Sequence, residues 1–404
     1  MEFQVSNKAK LVTTVLMLVG VLFTGIGVVL AMGEGGHLGQ KFWANFLVNS
    51  FFYFAIGISA LFFLALQYAT EAGWFVAVKR VIEAIAGSLP HMMGLMLIVL
   101  LTLSFMSGGH VYMWMDSDVM LNKDSHHYDE LAAGKYAYLN LTFFWIRTIV
   151  YFVVYYLFLK GFQKRSLEQD NNPSEAVNIH FLNYRRGALF LVFFAVFSST
   201  SAWDWIMSID VHWFSTLFGW YIFAGAWCSA MVVMVLMTLY LKKLGYLPKV
   251  NDSHIHDLGK WTFATSFLWS YMWFSQYMLI WYANIPEETT YYIMRIENYK
   301  LVYFGMFFIN FVFPMLILMS RDAKRNAGIL TVVGLIILVG HWLDVWVMVM
   351  GGSMGPTASF GPMELGLGLL FLGFFTRVIL VNLTKASLTP KHDPFLEESL
   401  HHEI

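Results

Sequence analysis

Long runs of apolar residues alternate with short polar connections along the whole 404-residue chain. A helix needs about 20 residues to cross the roughly 30 Å hydrocarbon core of a bilayer, and lipid offers no partner for unpaired backbone amides. Ten runs reach this length, so the pattern predicts an all-α integral membrane protein with about ten spans. The predicted spans are 8–32, 43–68, 89–110, 136–160, 184–208, 216–242, 259–283, 298–320, 326–350 and 361–384.

Lysine and arginine are distributed unevenly between the two sets of connections. One set carries 18 of these residues and the other set carries 5. Because Lys and Arg are retained on the cytoplasmic side of a membrane, the bias predicts cytoplasmic termini and an even number of spans. The expected location is the bacterial cytoplasmic (inner) membrane. The formal net charge of −1 gives no support for binding to nucleic acid.

Spans five and nine share a pattern that suggests an internal repeat. Asp204 lies between two tryptophans in span five, and Asp344 is followed two residues later by Trp346 in span nine. The two spans have the same predicted direction and are four helices apart, as in a protein built from two parallel repeats. The prediction is one polytopic domain, 1–404, divided into a peripheral span 8–32, a first four-helix bundle 43–208, a second four-helix bundle 216–350, a peripheral span 361–384 and a cytoplasmic tail 385–404.

The connection between spans two and three has a different pattern. Residues 71–88 place their apolar side chains along one helical face. This spacing predicts a short helix in the cytoplasmic interface with its aromatic side in lipid, or simply an amphipathic connector. Glu71, Glu83 and His91 are candidates for a group that takes up protons on this side.

Ionisable residues inside spans are costly, so each one is a functional candidate. Under the predicted topology, Asp204 and Asp344 lie in the outer part of the bilayer. His341 precedes Asp344 by three residues and shares its helix face. A carboxylate beside a histidine in a low dielectric can exchange protons near neutral pH, whereas the alternative role is a hydrogen bond to a neighbouring helix. The proton-path candidates are Glu83, His91, Asp204, His341 and Asp344.

The remaining charged and metal-ligating residues within spans favour structural roles. Arg147 is in the middle of span four and needs a partner, which makes it a candidate for a structural ion pair. Arg377 is a second candidate for such a pair. Its alternative role is to extend its side chain to the lipid headgroups. Cys228 is the only cysteine, so this chain forms no internal disulfide and ligates no iron–sulfur cluster through cysteines. Only His110 and His341 have roughly matched depth, so a bound haem is not favoured, and no metal site or catalytic residue is assigned.

Three short stretches of sequence indicate a family resemblance more specifically than the chemistry of their residues does. They are SIDVHWFSTLFGW at 208–220, FSQYMLIWYANIPEE at 274–288 and YLN at 138–140. Together they resemble the large membrane subunits of alternative complex III, a bacterial quinol:electron-acceptor oxidoreductase. Those subunits belong to the polysulfide-reductase-type (NrfD-like) membrane anchor family. The resemblance covers essentially the whole chain, and the string at 274–288 is the most specific part.

The complex has two such subunits, of the ActC and ActF types. The ActC type has a Gly-His pair in its second span, part of a quinol site, whereas the second span here reads AIGISA at 55–60 and contains no histidine. The length and the final segment 393–402 also resemble the ActF type. The resemblance implies a ten-helix subunit without haem or iron–sulfur centres that packs beside an ActC-like subunit. It places haem c and iron–sulfur clusters in partner subunits, and implies a role in the respiratory chain that includes proton translocation.

Three functional hypotheses stay open at this point. The first is a cofactor-free membrane subunit that is structural and translocates protons. This subunit would not itself oxidise quinol, because oxidation requires an acceptor for the quinol proton. The second is direct quinol binding near Asp204, Asp210 and His212. The third is an independent secondary transporter, a class in which ionisable residues lie near the midplane.

Overall fold

The structure, a computed structural model, describes residues 3–32, 38–105 and 111–403. The protein is 80% helical, and the described residues include no strand. The α-helices in chain order are α1 Asn7–Ala31, α2 Leu38–Ala69, α3 Lys79–Ala86, α4 Leu89–Phe105, α5 Ser117–Met120, α6 Glu130–Ala133, α7 Leu141–Asn171, α8 Ala176–Trp205, α9 Phe218–Lys243, α10 Asp252–Ala283, α11 Pro286–Asn298, α12 Lys300–Phe307, α13 Phe313–Ile317, α14 Ala327–Met354, α15 Pro362–Leu383 and α16 Leu396–Leu400. Short 3₁₀ helices occur at Trp74–Val78, Met113–Met115, Pro173–Glu175, Met207–Ile209 and Gly355–Thr357, and a π-helix at Phe308–Val312.

Nine helical segments in the described part of the chain are long and apolar enough to cross a membrane. They are Asn7–Ala31, Leu38–Ala69, Trp74–Phe105, Leu141–Asn171, Pro173–Ile209, Phe218–Lys243, Lys300–Ile317, Ala327–Thr357 and Pro362–Leu383. The predicted span 259–283 forms most of α10, which has 32 residues but is not among the nine. The reason is composition, because α10 is rich in Trp, Tyr, Ser and Thr, whose polar atoms lower its mean hydropathy. The end of the predicted third span, including His110, lies outside the described residues.

Helix α2 lies at the centre of the protein. Its residues are buried on all sides, as expected of a helix that is apolar all round. It packs against α4 and α8 of the predicted first bundle, and also against α9, α14 and α15. Its few polar side chains are used between helices: Asn45 Nδ2 donates to Glu364 Oε1 in α15 at 2.9 Å, and Asn49 Oδ1 accepts from Trp342 Nε1 in α14 at 2.9 Å. The division into two four-helix bundles stays a prediction.

Helix α1 packs mainly against α15, through glycines that bring the two backbones into contact. A Cβ atom added to Gly20 would lie 2.5 Å from Leu370 N, and one added to Gly27 would lie 2.5 Å from Met363 N. Lipid supplies no hydrophobic force between helices, so close backbone packing at small residues stabilises such pairs. The rest of α1 exposes large apolar side chains, which suits a helix at the lipid boundary.

The segment between α2 and α4 is buried, so the predicted interfacial helix with a lipid-facing aromatic side is wrong. Lys79 and Arg80 are both buried. Lys79 Nζ lies 2.8 Å from Asp393 Oδ2, and Arg80 forms ion pairs with Glu83 and Asp170. Cations can be buried here because carboxylates from distant parts of the chain compensate them.

The C-terminal tail covers this buried segment. Ser399 Oγ donates to the carbonyl oxygen of Trp74 at 2.8 Å and accepts from the backbone N–H of Ala77 at 3.0 Å. His402 Nε2 lies 2.6 Å from Asp257 Oδ2 at the start of α10. The described part of the predicted tail, 385–403, therefore packs onto the helices where α2 ends and α4 begins. Since Lys79, Arg80, Lys160 and Lys385 lie there, we call this end of the protein the basic end.

Two glycines of α1 provide a test of the contact with α15. We expect Gly20→Ala to lower the free energy of unfolding by about 1–3 kcal/mol, because its Cβ collides with the Leu370 backbone. Gly25→Ala is the matched control: a Cβ there meets no atom within 4 Å, and alanine should stabilise the helix by about 0.5–1 kcal/mol. Thermal unfolding in detergent measures both, and equal shifts would contradict the described packing.

Candidate functional site

Three helices converge on Asp344, near the middle of the 28-residue helix α14. The carboxylate is buried, and its two oxygens have different donors. The Tyr221 hydroxyl in α9 donates to Oδ1, and Trp269 Nε1 in α10 donates to Oδ2 at 2.9 Å. Both donors are side chains of neighbouring helices, so the packing of α9, α10 and α14 fixes the position of the acid.

His341 lies one helical turn before Asp344 but does not bond to it. The two rings of His341 and Trp269 meet edge to face, with centroids 5.2 Å apart. His341 Nδ1 is 3.4 Å from Asn310 Nδ2, and its buried Nε2 has no hydrogen-bond partner among the described residues. Trp269 therefore contacts both ionisable groups, with its N–H on Asp344 and its ring on His341.

A π-helical turn at Phe308–Val312 positions Asn310 against His341. In an α-helix, the carbonyl of residue 310 would accept from the N–H of residue 314, but Pro314 has no N–H. The hydroxyl of Ser266 in α10 donates to this carbonyl instead. Such π-turns are frequent at functional sites because they place a side chain where a regular helix would not.

Asp344 borders two small cavities. The first has a volume of about 20 Å³ and is also lined by His341 and Ser229. This volume is sufficient for one water molecule. The second has a volume of about 10 Å³, and Asp344 is the only acid in its lining. Its polar and aromatic lining residues are Tyr221, Trp273, Gln276, Tyr291, Tyr292, Arg295 and Tyr303.

Arg295 enters the second cavity from α11, a short helix at the end opposite the basic end. Asn284 ends α10 in the left-handed conformation, with φ 48°, and Pro286 starts α11 directly afterwards, so the chain turns back sharply. Arg295 is buried, its guanidinium lies 3.3 Å from the centre of the Tyr291 ring, and its Nη atoms donate to the carbonyls of Tyr291 and Met348. No carboxylate in the described chain lies within ion-pair distance of it.

Asp204 has a different environment from Asp344. Arg147 forms a bidentate pair with it, with Nε 2.8 Å from Oδ2 and Nη2 2.7 Å from Oδ1. The Tyr151 hydroxyl also donates to Oδ2 at 3.0 Å. Each of the two aspartates thus accepts from a tyrosine of a neighbouring helix, but only Asp204 has an arginine against it. Asp204 is therefore held in an ion pair, whereas Asp344 forms none with the described residues.

The residues predicted for a quinol site are not brought together by described contacts. Asp204 is buried in its ion pair, while His212 is exposed and its Nε2 lies 2.5 Å from Asp129 Oδ2. Partial burial raises the pKa of Asp129, but hydrogen bonds from the Ala132 N–H and from His212 outweigh this effect and hold the pKa below its usual value. Asp210 makes no described contact with either Asp204 or His212.

The predicted proton-uptake residues at the basic end also have separate surroundings. Glu83 accepts from Arg80 at 2.8 Å and from Ser166 Oγ at 2.6 Å, whereas Glu71 lies 3.6 Å from His180. His91 is exposed at the start of α4. No described contact joins Glu71, Glu83 and His91.

The second arginine expected in an ion pair, Arg377, has a neutral neighbour. Its Nη1 lies 3.4 Å from the Thr13 hydroxyl of α1, and the described residues place no carboxylate within ion-pair distance. The contact joins α15 to α1 at the lipid boundary. Nothing in these surroundings links Arg377 to the Asp344 site.

Sequence reasoning found Asp344 and His341 but missed the residues that surround them. Tyr221 and Trp269 gave no signal, because tyrosine and tryptophan are common in membrane helices. Asn310 did carry one: it is an amide within an apolar run, four residues before a proline. Arg295 is one of the five Lys and Arg residues in the less basic set of connections, and a loop charge of this kind does not indicate burial.

No protein-family model matches this chain, and no curated protein matches it in sequence. The chain is an integral multi-pass membrane protein. Within the described ranges, no three His, Cys, Asp or Glu side chains are grouped so that they could hold a metal ion.

Removal of one member of the Arg147–Asp204 pair should destabilise the protein strongly. We expect Arg147→Met to cost about 3–5 kcal/mol of unfolding free energy, because it leaves a buried carboxylate without its cation. The double variant Arg147→Met/Asp204→Asn should recover most of the loss, since the amide oxygen still accepts from Tyr151. Unfolding in mixed micelles measures the unfolding free energies of the parent protein, of Arg147→Met, of Asp204→Asn and of the double variant. If the effects of the two single substitutions add up in the double variant, the pair is not coupled.

Proposed function

We propose that this protein is a membrane subunit of a bacterial respiratory quinol:electron-acceptor oxidoreductase of the alternative complex III type. In this proposal it binds no electron carrier, supports the membrane part of the complex, and moves protons through the Asp344 site. Both termini are cytoplasmic, as the Lys and Arg bias favours. Its partners are a homologous ActC-like membrane subunit and subunits that carry haem c and iron–sulfur clusters.

Two of the three strings that carry the family resemblance lie next to the Asp344 site, which supports the proposal, whereas YLN at 138–140 lies beside Arg147. The string 208–220 leads into α9, and the next residue is Tyr221, the donor to Asp344. The string 274–288 includes Gln276, which lines the cavity of Asp344 and Arg295, and it continues into the start of α11. The most specific parts of the sequence therefore build the surroundings of one buried acid.

The observation that carries the proton-handling role is the cavity that His341 and Asp344 share. A water molecule in this 20 Å³ space has both side chains and Ser229 in its lining. A proton on the carboxyl of Asp344 can pass to such a water, while Tyr221 and Trp269 hold the carboxylate in place. The tyrosine-lined cavity on the other side of Asp344 extends from this acid to Arg295.

The route toward the basic end is apolar. The buried residues of α14 between His341 and its N-terminus include Leu330, Val333 and Ile337. Proton transfer through this stretch requires transient hydration, so in the proposed pathway the barrier lies there. Opening of the stretch would have to be coupled to quinol oxidation in the neighbouring subunit.

The contacts do not favour quinol binding by this chain. Asp204 has no free oxygen to accept a quinol proton without losing Arg147 or Tyr151, and His212 is engaged by Asp129 on the surface. Neither residue lines the Asp344 cavities. We therefore place the quinol in the ActC-like partner.

The complex reconstituted in liposomes tests the role of Asp344. We expect Asp344→Asn, which keeps the size of the side chain, to slow proton translocation on the order of 100-fold, while quinol oxidation continues without net proton transport. Glu364→Gln is the matched control, because Glu364 is also a fully buried acid but bonds to Asn45 and the Gly361 N–H, away from the site. A pH-sensitive dye inside the vesicles reports transport. Unchanged transport in Asp344→Asn, or none in the parent complex, would refute the proton role.

Purification tests the wider assignment. The tagged chain extracted in a mild detergent should carry haem-bearing partners, visible in the absorption spectrum of the purified material. A chain that purifies alone and transports a solute in liposomes would be a secondary transporter instead, and the assignment to an oxidoreductase would fail.

A further inference from the structure

A second feature of the protein is a half-open cavity of about 400 Å³ at the basic end. It lies between α3, the end of α7 and the chain that follows α15. Its charged lining consists of four cations and one acid, Arg80, Lys160, Lys164, Lys385 and Glu83. The Asp344 site plays no part in it, and the function proposed above does not depend on it.

The floor of this cavity is a preformed polar surface. Arg80, Glu83 and Asn382 line it and are buried. The one acid is already engaged, since Glu83 pairs with Arg80 and accepts from Ser166 Oγ. Arg80 Nε is buried and has no hydrogen-bond partner among the described residues. Arg80 also pairs with Asp170, so the floor offers one unused N–H of a buried guanidinium, and the charge that attracts an anion comes from the lysines of the rim.

The rim carries three exposed lysines. Lys385 Nζ donates to Asn382 Oδ1 at 2.7 Å, which leaves its charge uncompensated. Lys160 and Lys164 form no ion pair with any carboxylate of the described chain. Three cations around one opening repel one another and together attract an anion into it.

The remaining walls are apolar. Residues of this kind come from α3, α7, the end of α15 and the chain that follows it, namely Ala84, Leu167, Leu383, Ala386 and Leu388. All three helices belong to candidate membrane spans, and α7 and α15 contribute residues near their C-terminal ends, so the opening lies at the end of the lipid-crossing region. A ligand that suits both the cationic lining and the apolar walls has an anionic head group with apolar chains attached to it.

We propose that this cavity binds the phosphate of an anionic phospholipid headgroup from the leaflet at the basic end. Lysine and arginine pockets between membrane helices recognise lipid phosphates by this chemistry. The phosphate lies over Arg80 and Asn382, the three lysines surround it, and the acyl chains run along α7 and α15. Because Lys385 and Leu388 follow α15, the bound lipid also holds the start of the C-terminal tail against α3.

The test is lipid binding to the purified full-length protein, with its partners, by native mass spectrometry. Dioleoyl phosphatidylglycerol and dioleoyl phosphatidylcholine are titrated separately, with inorganic phosphate as a competitor. The variant is Lys160→Gln/Lys164→Gln/Lys385→Gln. The matched control is Lys10→Gln/Lys243→Gln/Lys249→Gln, which removes three exposed lysines on the connections of the same side that do not line the cavity.

We expect one phosphatidylglycerol to bind in preference to phosphatidylcholine. The cavity variant should lose about fivefold in affinity per lysine, on the order of 100-fold in total, and the control variant much less. Equal losses in the two variants, or no preference for phosphatidylglycerol, would overturn the site. If millimolar inorganic phosphate displaces the lipid, the cavity binds phosphate but the proposal that a lipid supplies it is overturned. Because the substituted lysines are exposed, an unchanged melting temperature in phosphatidylcholine checks that the variant is folded.

Discussion

A charge buried among membrane helices is stable only when other groups of the protein compensate it, because lipid cannot. This constraint separates the two aspartates that look alike in sequence. The charge of Asp204 is compensated by Arg147, and the resulting ion pair joins α7 to α8. Asp344 has two neutral donors instead, Tyr221 and Trp269. The polar interior therefore contains one acid in an ion pair and one acid held by neutral hydrogen bonds.

The spans could be predicted because the length and hydropathy of a helix are local properties. The segment 71–88 could not, because an amphipathic pattern shows that one face is apolar and says nothing about what covers the other. Its polar face is covered by Asp170 and Asp393, which lie far away in the sequence. Helix α10 shows the opposite problem. Its Trp and Tyr residues lower its hydropathy, although one of them, Trp269, uses its N–H as a donor within the protein.

The candidate site was predictable only in part, for a related reason. Position along one helix identifies His341 and Asp344 as neighbours, but it does not show which way they turn. Both contact Trp269 on another helix, which the shared helix face alone does not predict. Pro314 leaves the carbonyl of Asn310 without its helical N–H donor, and the hydroxyl of Ser266 in α10 donates to that carbonyl across the helix interface. Such pairings depend on how helices pack, which a hydropathy pattern does not contain.

The contact between α1 and α15 has a consequence for biogenesis. Helix α1 is translated more than 300 residues before α15, so its glycine face lies in lipid before its main partner exists. Lys79 likewise precedes Asp393 by more than 300 residues. Both contacts therefore form only after the helices between them have been synthesised.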